Sequence, residues 1–427
     1  VYPSRCHPQR CSTRQLPPWA SQVYLCGRLV GLEEGRGWLA DAEGAVDFTW
    51  LGGTSMPARR GDIVELMGRV VEGQLEVLEM RLLAPALRPW EAGEWQRFNA
   101  NDRALQKNLQ VRAAVLGEIR RFFAEQGFLE VETPVLARVP GQEVHIELFE
   151  TDMGEGTPAC LLSSPEHHMK RLLGVGLEKI FQVGRAFRRG ERSALHHPEF
   201  TLLEWYRAYA SYEEIMADAE ELVAGICRAV LGRERIAWRG QDIELNRPWP
   251  RLSVNRAFGD YAGLDLHCCA SVAEFRQQAL ALGYASIGAT DSWEDIFHKV
   301  LLEKVEPALK DLGAVFLVDY PSSMAALAKL KSGDPRLAER AELYVGGVEL
   351  ANGFTELNDP AEQRRRFVQA QGCRQQQGSP VYPLDEEFLA MMERAMPPAG
   401  GMALGVDRLV MLLVDAACID QVMAFSL

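Results

Sequence analysis

The stretch that most constrains the fold of this chain is Lys179 to Ala210, KIFQVGRAFRRGERSALHHPEFTLLEWYRAYA. Two extended segments flank a charged loop. In the first, Ile180, Gln182, Gly184, Ala186 and Arg188 share one face by the two-residue period of a strand. In the second, Phe200, Leu202, Glu204 and Tyr206 share a face, with Thr201, Leu203 and Trp205 on the other. Laid side by side, the two faces gather a guanidinium, an aromatic ring, a carboxylate and a phenol. Buried charge is costly without a partner, so a purely structural sheet face has little reason to collect such groups. A solvated face with scattered polar residues is the alternative that the second strand alone leaves open.

A length of 427 residues allows two domains, or one large domain with an appendage, and the 47% of hydrophobic residues supplies a substantial core. No apolar run approaches the ~18 residues that would suggest a membrane span. The first 20 residues hold Pro and Arg without the apolar segment of a secretory signal, and read as a disordered tail. Nine cysteines, an odd number with irregular spacing, argue for a reducing cytoplasm over a disulfide framework. A net charge of −13 disfavours broad, non-specific binding to nucleic acid, though not a local basic patch.

Residues 21–90 contain five short strand patterns separated by glycine-bearing turns such as Glu34-Gly35-Arg36-Gly37 and Glu72-Gly73, which suits a small β-barrel of the OB type. A linker from Pro85 to Asn101 leads into a second domain, 91–427. There Leu105, Leu109, Leu116, Ile119, Phe122 and Phe123 recur at helical spacing up to Gly127, and Phe128–Leu136 reads as a strand stopped by proline. Ser163-Ser164-Pro165-Glu166 opens a helix, and Ser211-Tyr212-Glu213-Glu214 is a capping box for another. Residues 233–312 carry no legible motif. Glu342 to Pro360 forms a hairpin about Gly346-Gly347, with Asn352, Phe354 and Glu356 on one face and Glu349 out of phase, so Glu349 needs a bulge or a different task. The fold class is α+β, an antiparallel sheet flanked by helices.

Phe187-Arg188, the loop, and His196-His197-Pro198-Glu199-Phe200-Thr201-Leu202-Leu203-Glu204-Trp205-Tyr206 resemble motif 2 of class II aminoacyl-tRNA synthetases of the lysyl subgroup. The helix and strand ending at Pro134 are similar to motif 1, and Gly401-Met402-Ala403-Leu404-Gly405-Val406-Asp407-Arg408 to motif 3. The 21–90 stretch resembles the anticodon-binding barrel of lysyl- and aspartyl-tRNA synthetases, with Asp47 where lysyl enzymes have glutamine. The resemblance implies a homodimer built through motif 1. It also implies ATP held by Arg188, Glu191, His196, His197, Phe200, Glu342, Glu349 and Arg408, with Mg²⁺ on Glu342 and Glu349. Arg188 and Arg408 would be catalytic. Gly190 sits where the family has a motif 2 glutamate, which leaves two alternatives: Glu191 stands in, or adenylate formation is impaired. A planar charged fork suits phosphate, a ring suits adenine, and carboxylates shared with phosphates suit Mg²⁺.

Glu166, Glu204, Tyr206, Asn352, Phe354, Glu356 and Ala403 would then receive the amino acid. Three carboxylates with no basic residue among them suit a diamino acid, lysine or β-lysine. Two lysyl-type families fit. The wording of Ser163–Leu173 and of Leu203–Arg207, and Ala403 in place of glycine, resemble the elongation factor P–(R)-β-lysine ligases, whose acceptor is elongation factor P. The N-terminal barrel resembles lysyl-tRNA synthetases, whose acceptor is tRNA. A non-catalytic paralogue is the third reading: Gly190 favours it, and the presence of Arg188, Glu342, Glu349 and Arg408 opposes it.

Overall fold

Alternating apolar residues and glycine turns shape the start of the chain into β1 (Ala20–Glu33), β2 (Arg36–Ala40), β3 (Ala45–Trp50), β4 (Ile63–Val71) and β5 (Gln74–Ala84). The computed structural model describes residues 7–87 and 104–426, in two units, Val1–Lys107 and Asn108–Leu427. In the first unit the strands close on themselves in the order β1-β2-β3-β5-β4, because the long β1 pairs with β4 along its first part and with β2 along its second. Leu25, Leu29, Leu39, Val64, Leu66 and Val77 fill the interior. From His7 onward the segment expected as a loose tail is attached. Cys11 and Leu16 pack against that interior, and Thr13 donates from both its backbone N–H and its hydroxyl to Asp41. Most of the expected linker, from 88 onward, lies outside the described residues.

The second unit opens within the Ala104–Glu125 helix, which buries Val115, Ile119 and Phe123. Gly127, at a φ of 75°, turns the chain out of it. The Phe128–Leu136 stretch is not one strand. Only β6 (Leu129–Glu130) and β7 (Leu136–Ala137) are paired, because Pro134 has no N–H to give a ladder and Thr133 donates instead to the Gln182 side chain. Strand β7 joins β8 (Phe149–Asp152) and β9 (Pro158–Leu161) in a small sheet. The Glu166–Gly174 helix, β10 (Lys179–Phe187), β11 (Glu199–Ala208) and the Tyr212–Leu231 helix follow. After the β12 (Arg235–Trp238) and β13 (Gln241–Glu244) hairpin come β14 (Arg251–Ser253), β15 (Ala314–Pro321), β16 (Leu337–Val345), β17 (Val348–Thr355) and β18 (Ala399–Gly405).

Eight strands make one sheet in the order β14-β15-β16-β17-β18-β11-β10-β6. Its six central strands are antiparallel and each edge strand runs parallel to its neighbour. One face is the core: Phe181, Leu203, Trp205, Leu343, Met402 and Leu404 lie in a single apolar cluster with residues of the Ala104–Glu125, Tyr212–Leu231 and Val406–Val414 helices. The residues between 254 and 309, without a motif of their own, form a second apolar cluster that packs on Val315 and Leu317, at the far end of the opposite face. Among the described residues no helix is long and apolar enough to cross a membrane.

The capping box at Ser211 is formed as its residues require: the Ser211 hydroxyl accepts from the Glu213 N–H at 3.2 Å, and the Glu214 carboxylate accepts from the Ser211 N–H at 2.7 Å. Ser211→Ala is therefore expected to destabilise the protein by about 1 kcal/mol, read as a lower urea midpoint with an unchanged slope.

Candidate active site

Cross-strand pairing assembles the open face of the sheet in rows. Residues opposite one another point the same way, so register alone decides which side chains meet. One row runs Gln182, Glu204, Ala403, Asn352, Glu342 across β10, β11, β18, β17 and β16. The next runs Ile180, Tyr206, Gly401, Phe354, Arg340. The register thus brings Glu204, Tyr206, Asn352, Phe354 and Ala403 together, while Leu203 and Trp205 turn into the core. Glu356, just past β17, and Glu166, at the start of its helix, complete the group.

These carboxylates are buried and interconnected. Glu204 is 1% exposed. It accepts from the Ser164 hydroxyl at 2.6 Å and from the Tyr206 hydroxyl at 2.9 Å. Ser164 also accepts from the Glu166 N–H at 3.0 Å, so one hydroxyl caps the helix and orients the carboxylate. Burial, with the charge of Glu166 adding, pushes Glu204 up to about 7. Glu356 is also 1% exposed, and burial raises it to about 8 against the opposing pull of a neighbouring ammonium.

That ammonium belongs to Lys170, and it corrects the expectation that no basic residue stands among the three carboxylates. Lys170 lies 2.5 Å from Glu166, ion-pairs with Glu356, and sits 5.1 Å from the centre of the Phe354 ring. Oε1 of Glu356 is buried without a hydrogen-bond partner among the described residues. The spacing held the signal, since Glu166 and Lys170 are four apart on one helical face.

A second group lies at the other end of the face. Strand β17 carries the bulge: Leu343 opposes Ala351 and Tyr344 opposes Glu349, leaving Leu350 extra and turning Glu349 toward the side of Glu342. Gly346 and Gly347, at φ of 58° and 78°, make the turn that delivers it. Arg408 donates to the Glu349 backbone oxygen at 2.6 Å, to its carboxylate at 3.3 Å, and to His196 Nε2 at 2.7 Å. The bare Nε2 leaves the ring proton on Nδ1, which faces the Ser193 hydroxyl at 2.8 Å. Burial and then the Arg408 charge lower the His196 pKa, which keeps the ring neutral. The Arg188 guanidinium stands 5.1 Å from the centre of the Phe200 ring, with its Nε buried and unpartnered among the described residues. Gly190 has a φ of 81°, a conformation costly for a glutamate, and Glu191 beyond it comes within 3.8 Å of Arg188. His197 is buried beside Glu199, its Nδ1 2.6 Å from the Glu199 carbonyl oxygen.

Glu342 is held from two sides, by Arg340 at 2.6 Å and by the Tyr344 hydroxyl at 3.0 Å. Arg340 also donates to Asn352 at 3.2 Å and so joins the two groups. The Tyr344 hydroxyl lies 3.1 Å from Glu306 as well, and its single proton can serve only one carboxylate. Burial, with the charges of Glu349 and Glu342 adding, pushes Glu306 up to about 7. Glu306 comes from the stretch to which no chemistry was assigned, 38 residues from Tyr344, and no local pattern marks it. No group of three or more His, Cys, Asp or Glu among the described residues is arranged to hold a metal. Mg²⁺ needs only one or two carboxylates besides substrate phosphates, and Glu342 and Glu349 offer that donor set.

Gly401 leaves the space that this arrangement needs. A Cβ there would lie 2.4 Å from the Tyr206 ring and 2.5 Å from Glu356 Oε1. Gly401→Ala is expected to destabilise by about 1–3 kcal/mol through overpacking, measured by urea unfolding. Gly405→Ala, whose methyl would meet nothing nearer than the Arg408 side chain at 3.7 Å, should change little.

Residues 96–427 match the family model of class II tRNA synthetases (D, K and N). The chain is 35% identical over 385 residues to the lysine–tRNA ligase of Pelotomaculum thermopropionicum, covering 86% of this chain and 76% of that protein. It is 37% identical over 383 residues to the lysine–tRNA ligase of Moorella thermoacetica, covering 86% and 78%. It is 38% identical over 341 residues to the elongation factor P–(R)-β-lysine ligase of Hamiltonella defensa, covering 78% of this chain and 98% of that protein. With its rows of site residues on such a sheet, and with matches over these lengths, the chain belongs to the class II tRNA synthetase family of the D, K and N type.

Proposed function

We propose that this chain is an ATP-dependent lysine ligase that forms an aminoacyl-adenylate. The observation that carries this is the charge of the buried pocket. With all three carboxylates ionised, as an arriving cation favours, they and the Lys170 ammonium leave two negative charges, the number that the two ammonium groups of a lysine offset. At the other end Arg188 and Arg408 offer the positive charge that a polyphosphate requires. The amino-acid carboxylate attacks the α-phosphorus beside Arg188, and the bond to pyrophosphate breaks on the side of Arg408. Phe200 supplies a flat surface for adenine, with Glu191, His196 and His197 around the nucleotide. Glu342 and Glu349 would hold Mg²⁺, which when bound offsets the charge of the phosphates. An acceptor amine or hydroxyl then takes the acyl group and AMP leaves.

The acceptor we favour is a lysine side chain of elongation factor P, with (R)-β-lysine as the activated acid. The support is Ala403, whose cross-strand neighbours are Glu204 and Asn352. A methyl group at that position narrows the space for an α-ammonium, and an amine moved from Cα to Cβ avoids it. The second reading is a lysyl-tRNA synthetase. It is favoured by the closed five-stranded unit, which we read as an OB-type module, and by the longer match to lysine–tRNA ligases. Against tRNA, Asp47 stands across from Trp38 on the β2–β3 pair, where an anion is unhelpful to RNA. Either way the Ala104–Glu125 helix and the chain after it are read as the surface of a homodimer.

Lysine-dependent exchange of pyrophosphate into ATP tests the reading. Arg188→Ala and Arg408→Ala are each expected to raise the barrier by roughly 2–4 kcal/mol while the protein still folds, and near wild-type exchange in either would refute the assignment. The wild type should activate β-lysine in preference to α-lysine by about 10- to 200-fold, and Ala403→Gly should narrow or reverse that ratio. A wild type that prefers α-lysine and charges tRNA replaces the protein-modifying reading with the synthetase.

A further inference from the structure

Lys170 makes both its ion pairs with residues that the amino acid would use. Glu166 is its neighbour one helical turn back, and Glu356 reaches it from the end of β17. The Lys170 side chain is 2% exposed and that of Glu356 is fully enclosed, so this is an ion pair removed from water. A buried pair of this kind gives little net stability, and the apolar ring of Phe354 beside it could be met equally well by an uncharged side chain. Its cost therefore calls for another purpose. The groups facing Lys170 are Glu166 on its own helix, Glu204 and Tyr206 on β11, and Phe354 and Glu356 on and after β17. Apart from Lys170 the charged members of this set are all anionic, and two of them, Glu204 and Glu356, are almost completely removed from solvent. Crowded carboxylates away from water take up protons unless a cation stands among them.

We infer that Lys170 is a positioning residue of the amino-acid pocket: its ammonium opposes protonation of the buried Glu356 and fixes the orientation of its carboxyl group before any substrate arrives. The inference rests on the lysine-ligase reading of the same site. Glu356 has two oxygens. Lys170 takes one, and the other, Oε1, is buried without a partner among the described residues beside the gap left by Gly401. That oxygen is the acceptor left for a substrate ammonium. Lys170 thus acts through Glu356 and does not itself meet the reacting atoms. Without it Glu356 would hold its proton to still higher pH, and the substrate ammonium would have to displace a more tightly held proton to bind. The deficit would then shrink as pH rises and the carboxylate recovers its charge.

The test is the KM for lysine in ATP–pyrophosphate exchange, measured from about pH 6 to about pH 9, where these carboxylates ionise. It uses the wild type, Lys170→Met, which keeps the length and loses the charge, and Lys170→Arg, which keeps the charge. Lys170→Met should raise the KM for lysine at least about tenfold at pH 7, with the deficit fading by about pH 9. Its KM for ATP should change less than about twofold, and Lys170→Arg should keep the wild-type shape of the pH profile. Glu166→Gln should move the profile the opposite way, to lower pH, because it removes an anion and leaves Lys170 to Glu356 alone. That shift remains the readout if the methionine variant does not fold. A loss equal at every pH, or no shift in either variant, overturns the inference alone. A wild type with no lysine-dependent exchange overturns the reading of the site, and the inference with it.

Discussion

A carboxylate taken out of water must be paired, hydrogen-bonded or protonated, and two of them, Glu204 and Glu356, lie almost completely buried on the open face of the central sheet. Much of the surrounding structure meets that requirement. The Ser164 and Tyr206 hydroxyls serve Glu204, Lys170 serves Glu356, and Gly401 leaves the volume in which Tyr206 and Glu356 stand close together. The same strands hold the protein together from their other side. Leu203 and Trp205 flank Glu204 in sequence and lie in the main core with Phe181 and Met402. A slip of one residue in the β10–β11 or β11–β18 register would drive Glu204 into that core and bring Trp205 out. Site and core are therefore specified by one pattern, and neither can drift without the other.

Regular alternation also has to be broken where the site needs it. The extra residue at Leu350 brings Glu349 and Asn352 to the same side although they are three apart, which an unbroken strand forbids. Gly190 plays a comparable part in the loop after β10. Its left-handed backbone turns the chain so that Glu191, one position late, comes near Arg188.

What the sequence made legible was what depends on neighbours along the chain. Period-two alternation in 179–210 separated Glu204 and Tyr206 from Leu203 and Trp205, and the phase of Glu349 called for a bulge or a different task. The Ser211 capping box could be read residue by residue. Strand Phe128–Leu136 failed because the reading carried it past Pro134, which cannot donate to a ladder. Lys170 was missed although its spacing from Glu166 was plain, because Glu166 was read without its helical neighbour and Glu356 lies 186 positions further along. Arg340 likewise alternates with Glu342, yet its bond to Asn352 exists only once β16 and β17 pair. Glu306 had no local signature, since its meeting with Tyr344 is a product of how the 254–309 segment packs on β15 and β16.

At each end of the site the charged groups are provisionally satisfied by the protein itself. At the amino-acid end an internal ammonium stands among carboxylates. At the nucleotide end the Arg408 guanidinium is committed to His196, to the Glu349 backbone and to the Glu349 carboxylate. A phosphate oxygen is a better acceptor for a guanidinium than a neutral imidazole, so a polyphosphate arriving there exchanges partners instead of filling a vacancy. Under the proposed reading this exchange releases His196, and with it the Ser193 to His196 loop that the imidazole ties down. Arg340 spans both ends, with one donor on Glu342 and another on Asn352. A shift of Glu342 as the nucleotide end reorganises is thereby felt at an amide on the amino-acid side. Under the same reading a coupling between the two substrates has a path that needs no moving domain, the Arg340 guanidinium on β16, which holds one residue of each end.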